Sequence, residues 1–229
     1  MTKLLAMLAT TSAAVQDYLK GLYALGEGAG NRDPVTTSAI AHHLGVSAAS
    51  ATNMLKKLDG IGLVNHVRYR GVELTESGRK IALEVLRHHR LLETYLAEAL
   101  GVPWDQVHAE AEILEHHLSE ELEERISARL GHPTADPHGH PIPSKELTSP
   151  PPPERTLWDT ADGETSTVDR VSDADPETLR YLGHLGIGPG TNAEVRTRGP
   201  VGGPLFVRFE TSTEEQAISK ELAEAIWVR

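Results

Sequence analysis

The chain has 229 residues, of which 39% are hydrophobic, 24% charged and only 4% aromatic, with a formal net charge of −11 and no cysteine. That length suits one large domain or two small ones with a core of Leu, Ile, Val and Ala, and the missing cysteine excludes disulfides and thiolate metal sites and points to a cytoplasmic protein. No apolar run approaches the ~20 residues of a membrane helix, so no membrane partner is expected, and residues 1–14 read as a frayed helix entry rather than a signal peptide.

A net acidic chain argues against nucleic-acid binding, but the placement of charge matters more than its sum. Residues 1–80 hold nine basic side chains against six acids, whereas residues 91–130 hold ten acids against Arg125 and Arg129. The acidity is concentrated in the middle of the chain, and the first third can still meet a phosphate backbone.

Residues 12–27 show helical spacing, with Val15, Leu19, Leu22, Tyr23 and Leu25 near one face. After a loop, Thr37 or Ser38 is expected to cap a short helix ending near Leu44. Gly45 and Val46 make a turn, and Ser47 caps a second helix that Gly60 and Gly62 stop. Two short strands, 63–67 and 72–75, flank a tip at 68–71. A long helix follows from about Glu76 to Leu100, ended by Gly101 and Pro103, and two more helices fill 104–130. Residues 132–153 are rich in Pro and His and read as a linker, partly extended. The segment 155–229 is rich in Gly, Thr and Val, with strands expected at 192–197 and 205–210, which suggests a small β-barrel.

The two short helices joined at Gly45 form a helix-turn-helix. Ile40, Leu44, Val46, Met54, Leu55 and Leu58 make its inner face, with the small Ala41 at the crossing. The outer face of the second helix presents Ser47, Ala49, Ser50, Asn53, Lys56 and Lys57, small groups for base edges followed by lysines for phosphates. The hairpin carrying Arg68, Tyr69 and Arg70 makes the unit a winged one. A three-helix core without DNA contact has the same pattern, and the basic wing at this distance favours DNA.

The acidic middle carries a dense set of hard ligands. His89 and Glu93 are at i, i+4 on the long helix, and His108, Glu112, Glu115 and His116 follow on the next. Offsets of three and four place these on one helical face. So many inward carboxylates without a cation would be costly to desolvate. Asp17 on the first helix offers a further oxygen. Oxygen and imidazole donors without sulfur suit Mn(II) or Fe(II), with Co(II), Ni(II), Zn(II) or Cd(II) as substitutes in vitro. A solvated acidic face is the plain alternative. The His-Glu-x-x-His pattern of zinc proteases is absent. His42 and His43, and His132, His138 and His140 in the proline-rich stretch, are not expected to be ligands.

These residues carry a resemblance. The stretches Gln16-Asp17-Tyr18-Leu19, Ile40-Ala41-His42-His43-Leu44-Gly45-Val46-Ser47, Leu74-Thr75-Glu76-Ser77-Gly78, His89-Arg90-Leu91-Leu92-Glu93, Val107-His108, Leu114-Glu115-His116-His117-Leu118-Ser119 and Pro137-His138-Gly139-His140-Pro141-Ile142-Pro143 resemble the diphtheria-toxin-repressor family of metal-dependent transcription regulators, in its manganese-responsive branch. The resemblance implies a mainly α fold with a winged helix-turn-helix (1–75), a helical metal-binding and dimerisation domain (76–143), a Pro-rich linker (144–154) and an SH3-like domain (155–229). It implies a regulatory site of Asp17, Glu112, Glu115 and His116, and an ancillary site of His89, Glu93 and His108. Oxygen at Asp17 and Glu112, where iron-responsive relatives have sulfur, is the manganese pattern. It also implies a homodimer on a palindromic operator. Lys20 stands where some manganese relatives have glutamate. Asp175 or Glu177 falls near the place where long forms add a ligand. Leu91, Leu92, Tyr95, Leu96 and Leu100 fit either a dimer surface or an internal core. An Fe(II)-responsive regulator of this fold and, in another class, a di-metal hydrolase with a bridging water are the alternatives.

Overall fold

The computed structural model describes residues 11–31 and 33–229. The first ten residues, with most of the expected helix entry, and Arg32 lie outside the described part. The chain forms two compact units that are not contiguous in sequence. The first comprises the chain up to His89 together with Leu114–Glu120 and Pro143–Pro152. The second comprises Arg90–Ile113, Glu121–Ile142 and Pro153–Arg229.

The first unit opens with helix α1 (Ala13–Leu25), which buries Val15, Tyr18, Leu19, Leu22 and Tyr23 along one stripe. Helix α2 (Thr37–His43) is capped by Thr36, whose hydroxyl accepts from the Ala39 amide, one residue before the expected caps. The choice follows from geometry, because the cap must be extended while its hydroxyl reaches an amide three residues on. A Schellman turn ends α2. Gly45 is left-handed with φ 64°, and the Val46 amide donates to the Ala41 carbonyl at 3.0 Å. Helix α3 (Ala48–Gly60) then starts from Ser47, whose hydroxyl accepts from the Ser50 amide. Ile40, Leu55 and Leu58 are buried and Leu44 and Met54 partly so, but Val46 is 37% exposed. It follows the left-handed residue on the outside of the turn rather than on the inner face. Strands β1 (Val64–Val67) and β2 (Gly71–Leu74) pair antiparallel to form the wing, and Val35 bridges to Val72 beside them.

Helix α4 (Glu76–Leu100) runs over 25 residues. Its first half contributes Ile81, Ala82, Leu83 and Val85 to the core of the first unit. Close packing at its start requires glycine: a Cβ on Gly78 would lie 2.0 Å from the Leu63 carbonyl oxygen. The second half of α4 belongs to the second unit, with α5 (Val107–Leu114) and α6 (Glu120–Arg129) following in the chain and a 3-10 turn at Glu115–His117 between them. Leu91, Leu92 and Leu96 are buried within the single chain, so they are internal core, while Leu100 is exposed.

The rest of the second unit is a β-barrel-like sheet. Strands β3 (Thr165–Val171), β4 (Asn192–Arg198), β5 (Leu205–Phe209), β6 (Gln216–Ile218) and β7 (Ile226–Val228) stand in the order β6-β5-β4-β3-β7, all pairs antiparallel. Helices α7 (Pro176–His184) and α8 (Lys220–Glu224) complete it. Its separate core holds Val168, Leu179, Leu182, Val195, Val207, Phe209 and Ile226. Among the described residues no helix is long and apolar enough to cross a membrane.

Candidate metal centres and DNA-reading surface

The DNA-reading candidates lie in the first unit. Ser47, Ala49, Ser50, Asn53, Lys56 and Lys57 on α3, and Arg68 and Arg70 at the wing, are all exposed. The Arg68 guanidinium lies over the Tyr69 ring, 4.7 Å from its centroid. Tyr69 is left-handed with φ 64°, a conformation that non-glycine residues seldom adopt, and its side chain is exposed. Arg70 pairs with Asp33.

A first group of hard ligands forms inside the same unit. Helix α1 supplies Asp17, and the turn after α5 supplies Glu115 and His116. Their ligand atoms all lie within 4.8 Å of one another. Atoms that share one hard cation at about 2.0–2.6 Å lie no further apart than about 5 Å, so this set fits a single divalent ion. His116 Nε2 is 2.9 Å from Asp17 Oδ1 and 3.6 Å from Glu115 Oε1. Its other nitrogen, Nδ1, donates to Gln16 Oε1 at 2.7 Å. That bond turns the Nε2 lone pair towards the carboxylates, the outer-shell device by which histidine ligands are aimed. Gln16 was not among the sequence candidates; its separation of 100 residues from His116 hides the pairing.

Glu115 is the most enclosed member, its side chain 0% exposed. Oε1 accepts from Lys20 Nζ at 2.6 Å, and Oε2 accepts from His89 Nδ1 at 2.5 Å. The neighbouring His88 donates from Nδ1 to the Glu115 carbonyl at 3.2 Å. The turn carrying Glu115 and His116 is thereby held against both α1 and the first half of α4.

Two further sets of hard donors form inside the second unit, Glu93 with His108 and Asp136 with His138 and His140. Glu93 is fully buried and accepts from His108 Nδ1 at 3.1 Å. Glu112 lies 3.6 Å from the opposite ring nitrogen of His108. Asp136, His138 and His140 are all buried, with ligand atoms within 4.8 Å of one another. This corrects the reading of 132–153 as a linker without fixed geometry. The turn is built: Asp136 Oδ1 accepts from the amides of His138 and His140 at 2.8 and 3.0 Å, and the His138 carbonyl accepts from the Val171 amide of β3. Gly139 has φ 91°, and a Cβ there would meet the Asp169 carbonyl oxygen at 2.2 Å. Only glycine lets the turn approach the strand so closely.

His138 Nε2 donates to the Trp104 carbonyl at 2.9 Å, and its ring stacks on Trp104. Nδ1 of His138, Nδ1 of His140 and Oδ2 of Asp136 are buried and make no hydrogen bond within the described residues. Three such atoms together fit a hard cation that accepts imidazole nitrogen and carboxylate oxygen. Asp173 lies beside this set, 3.7 Å from His140 Nδ1. Burial opposes its ionisation, but the charges of His140, then His108 and His138, outweigh burial and the adverse charge of Glu93, and hold the carboxyl below its usual range. Asp175, by contrast, caps α7, accepting from the Glu177 and Thr178 amides. It is engaged in starting that helix, whereas Asp173, two residues earlier, is the carboxylate beside His140.

A winged helix-turn-helix with hard-ligand clusters in the same chain defines the class of metal-responsive DNA-binding regulators. Family models agree segment by segment: the iron dependent repressor N-terminal DNA binding domain matches residues 10–72, the iron dependent repressor metal binding and dimerisation domain 75–144, and the FeoA domain 155–229. The chain is 39% identical over 128 residues to the iron-dependent repressor IdeR of Mycobacterium tuberculosis, 55% of this chain and 54% of that protein. The match thus spans about half the length of those curated relatives. It is 37% identical over 113 residues to the HTH-type transcriptional regulator MntR of Oceanobacillus iheyensis, 49% of this chain and 74% of that one. Among solved structures it is similar to a manganese-dependent transcriptional repressor in complex with manganese, with a TM-score of 0.86, 44% identity, and coverage of 93% of this chain and 98% of that chain. The chain belongs to the diphtheria-toxin-repressor family of metal-dependent transcriptional repressors, which are DNA-binding regulators rather than enzymes.

Proposed function

We propose that the protein is a Mn(II)-responsive repressor that binds a palindromic operator as a homodimer. The observation that carries this reading is the group of Asp17, Glu115 and His116, which joins the helix before the DNA-reading unit to the turn after α5 through oxygen and imidazole donors only. Hard donors without sulfur favour Mn(II) over softer ions at cellular supply. When bound, the ion supplies the positive charge that lets two carboxylates share one small space. Gln16 aims His116, and Asp17 connects the group to α1. The resemblance also names Glu112, which lies 3.6 Å from His108 within the second unit.

Further cation binding is proposed in the second unit, at Asp136, His138 and His140 with Asp173 beside them, and at Glu93 with His108. The resemblance names His89 with Glu93 and His108, and within the first unit the Nδ1 of His89 donates to Glu115. Exposed Leu100, Ile113 and Leu122 in the second unit supply apolar surface for a twofold partner, in a segment matched by the dimerisation model. The similarity to the iron-dependent IdeR keeps Fe(II) as the competing effector.

Linkage sets the scale: if the metal favours the DNA-competent arrangement by ~1–3 kcal/mol, DNA favours the metal by the same amount. The test is anaerobic binding to the DNA upstream of the protein's own gene, titrated separately with Mn(II), Fe(II) and Zn(II). Half-maximal binding at the lowest free concentration for Mn(II) relative to its cellular level supports the reading. Binding that is independent of all three metals rejects it.

A further inference from the structure

Glu115 presents a fully enclosed carboxylate, and such a charge is costly to bury without a cation. The chain provides one. Lys20, one turn after Asp17 on α1, places Nζ 2.6 Å from Glu115 Oε1, and its own side chain is only 14% exposed. The two oxygens of Glu115 have different partners. Oε2 holds His89, while Oε1 faces His116 Nε2 at 3.6 Å and is the one Lys20 occupies. A divalent ion shared by His116 Nε2 and Glu115 needs that same Oε1. A protonated lysine has three donors and no lone pair, so it cannot join a cation as a ligand.

We propose that the Lys20 ammonium is a tethered counter-cation that competes with the divalent ion for Glu115 Oε1 and thereby sets the metal concentration at which the protein responds. The inference rests on the assignment of Asp17, Glu115 and His116 as a cation site. In the metal-free protein, Lys20 neutralises Glu115 and keeps the turn at 115–117 attached to α1. Metal entry exchanges the Lys20–Glu115 link for one through Asp17, on the same helix a turn earlier. The metal-free form is therefore pre-assembled, at the expense of affinity. The device differs from the Asp136 set of the second unit, where histidines and Arg90, whose Nε lies 3.7 Å from Asp136 Oδ2, surround the carboxylates and no ammonium occupies them among the described contacts.

The test compares the native chain with Lys20→Met, Lys20→Gln, Lys20→Arg and Glu115→Gln. Mn(II) affinity is measured from the EPR signal of the free ion, and thermal stability with and without Mn(II). Lys20→Met is expected to bind Mn(II) on the order of 10–100-fold more tightly, because a charge-assisted hydrogen bond no longer has to be broken. Its metal-free form should melt earlier than the native one, so that the rise in melting temperature on adding Mn(II) is larger. Lys20→Arg, which keeps the charge, should restore near-native affinity. Should Lys20→Met not fold without metal, Lys20→Gln carries the same comparison. Lys20 variants that bind Mn(II) no more tightly than the native chain, while Glu115→Gln loses binding, overturn the counter-cation and leave the site assignment standing. A Glu115→Gln chain that still binds at native affinity overturns the site assignment itself.

Discussion

The two ligand groups solve the same electrostatic problem in different ways. In the first, two carboxylates and one imidazole lie with Lys20 already paired to the buried oxygen. In the second, buried Asp136 and half-buried Asp173 lie beside the imidazoles of His138 and His140. A lysine has a fixed charge near neutrality and no lone pair, whereas an imidazole can offer a ring nitrogen to a metal. On the proposed reading, the first group responds to a concentration and the second holds the turn at 136–140 in place. The difference teaches that ligand type alone does not define a sensor; what the ion must displace matters as well.

Several changes would break or sharpen this contrast. The largest effect is expected from Glu115→Gln, which keeps shape but removes the shared charge. Mn(II) affinity at the first group should fall by more than ~100-fold, beyond the 10–100-fold typical of losing an outer-shell partner. Equilibrium dialysis would detect it. His138→Ala should lower the number of Mn(II) ions bound per chain by one, read by elemental analysis after gel filtration, and an unchanged number would remove His138 from the second group. Gln16→Leu touches no ion; by freeing the His116 ring it should weaken Mn(II) binding by about 10–100-fold. An affinity equal to the native one would make the Gln16 contact incidental. Away from both groups, Ser47→Ala removes the cap of α3 and should cost about 1 kcal/mol, seen as a lower denaturation midpoint. The smallest change is Lys56→Ala, which should reduce the slope of log affinity against log salt by about 0.9 for every DNA sequence. An unaltered slope would place Lys56 off the phosphate backbone.

Much of the fold was legible because it depends on local rules. The apolar period marks α4 over the residues observed, and Ser47, Gly45 and the wing residues have the turn chemistry expected of them. Asp17, Glu115 and His116 are named by their residue types and the resemblance, together with Glu112. What was not legible depends on distant neighbours. The pairing of Lys20 with Glu115 spans 95 residues of sequence, and nothing near Lys20 announces a buried acid. His138 and His140 lie in a proline-rich stretch that composition alone assigns to a linker. They are fixed by Asp136 and by the approach of Gly139 to β3, which only packing reveals. Val46 was misplaced for a smaller reason, the left-handed turn at Gly45 that carries it outward.

The central claim is that a divalent ion at Asp17, Glu115 and His116 controls attachment to DNA. It is tested most directly by fluorescence anisotropy of a labelled upstream duplex, titrated with Mn(II) in the presence of native or Glu115→Gln protein. The account predicts that Mn(II) strengthens DNA binding by the native chain about 5–150-fold, the range of a 1–3 kcal/mol coupling, and leaves the Glu115→Gln chain unresponsive. An equal Mn(II) response in both proteins would contradict it.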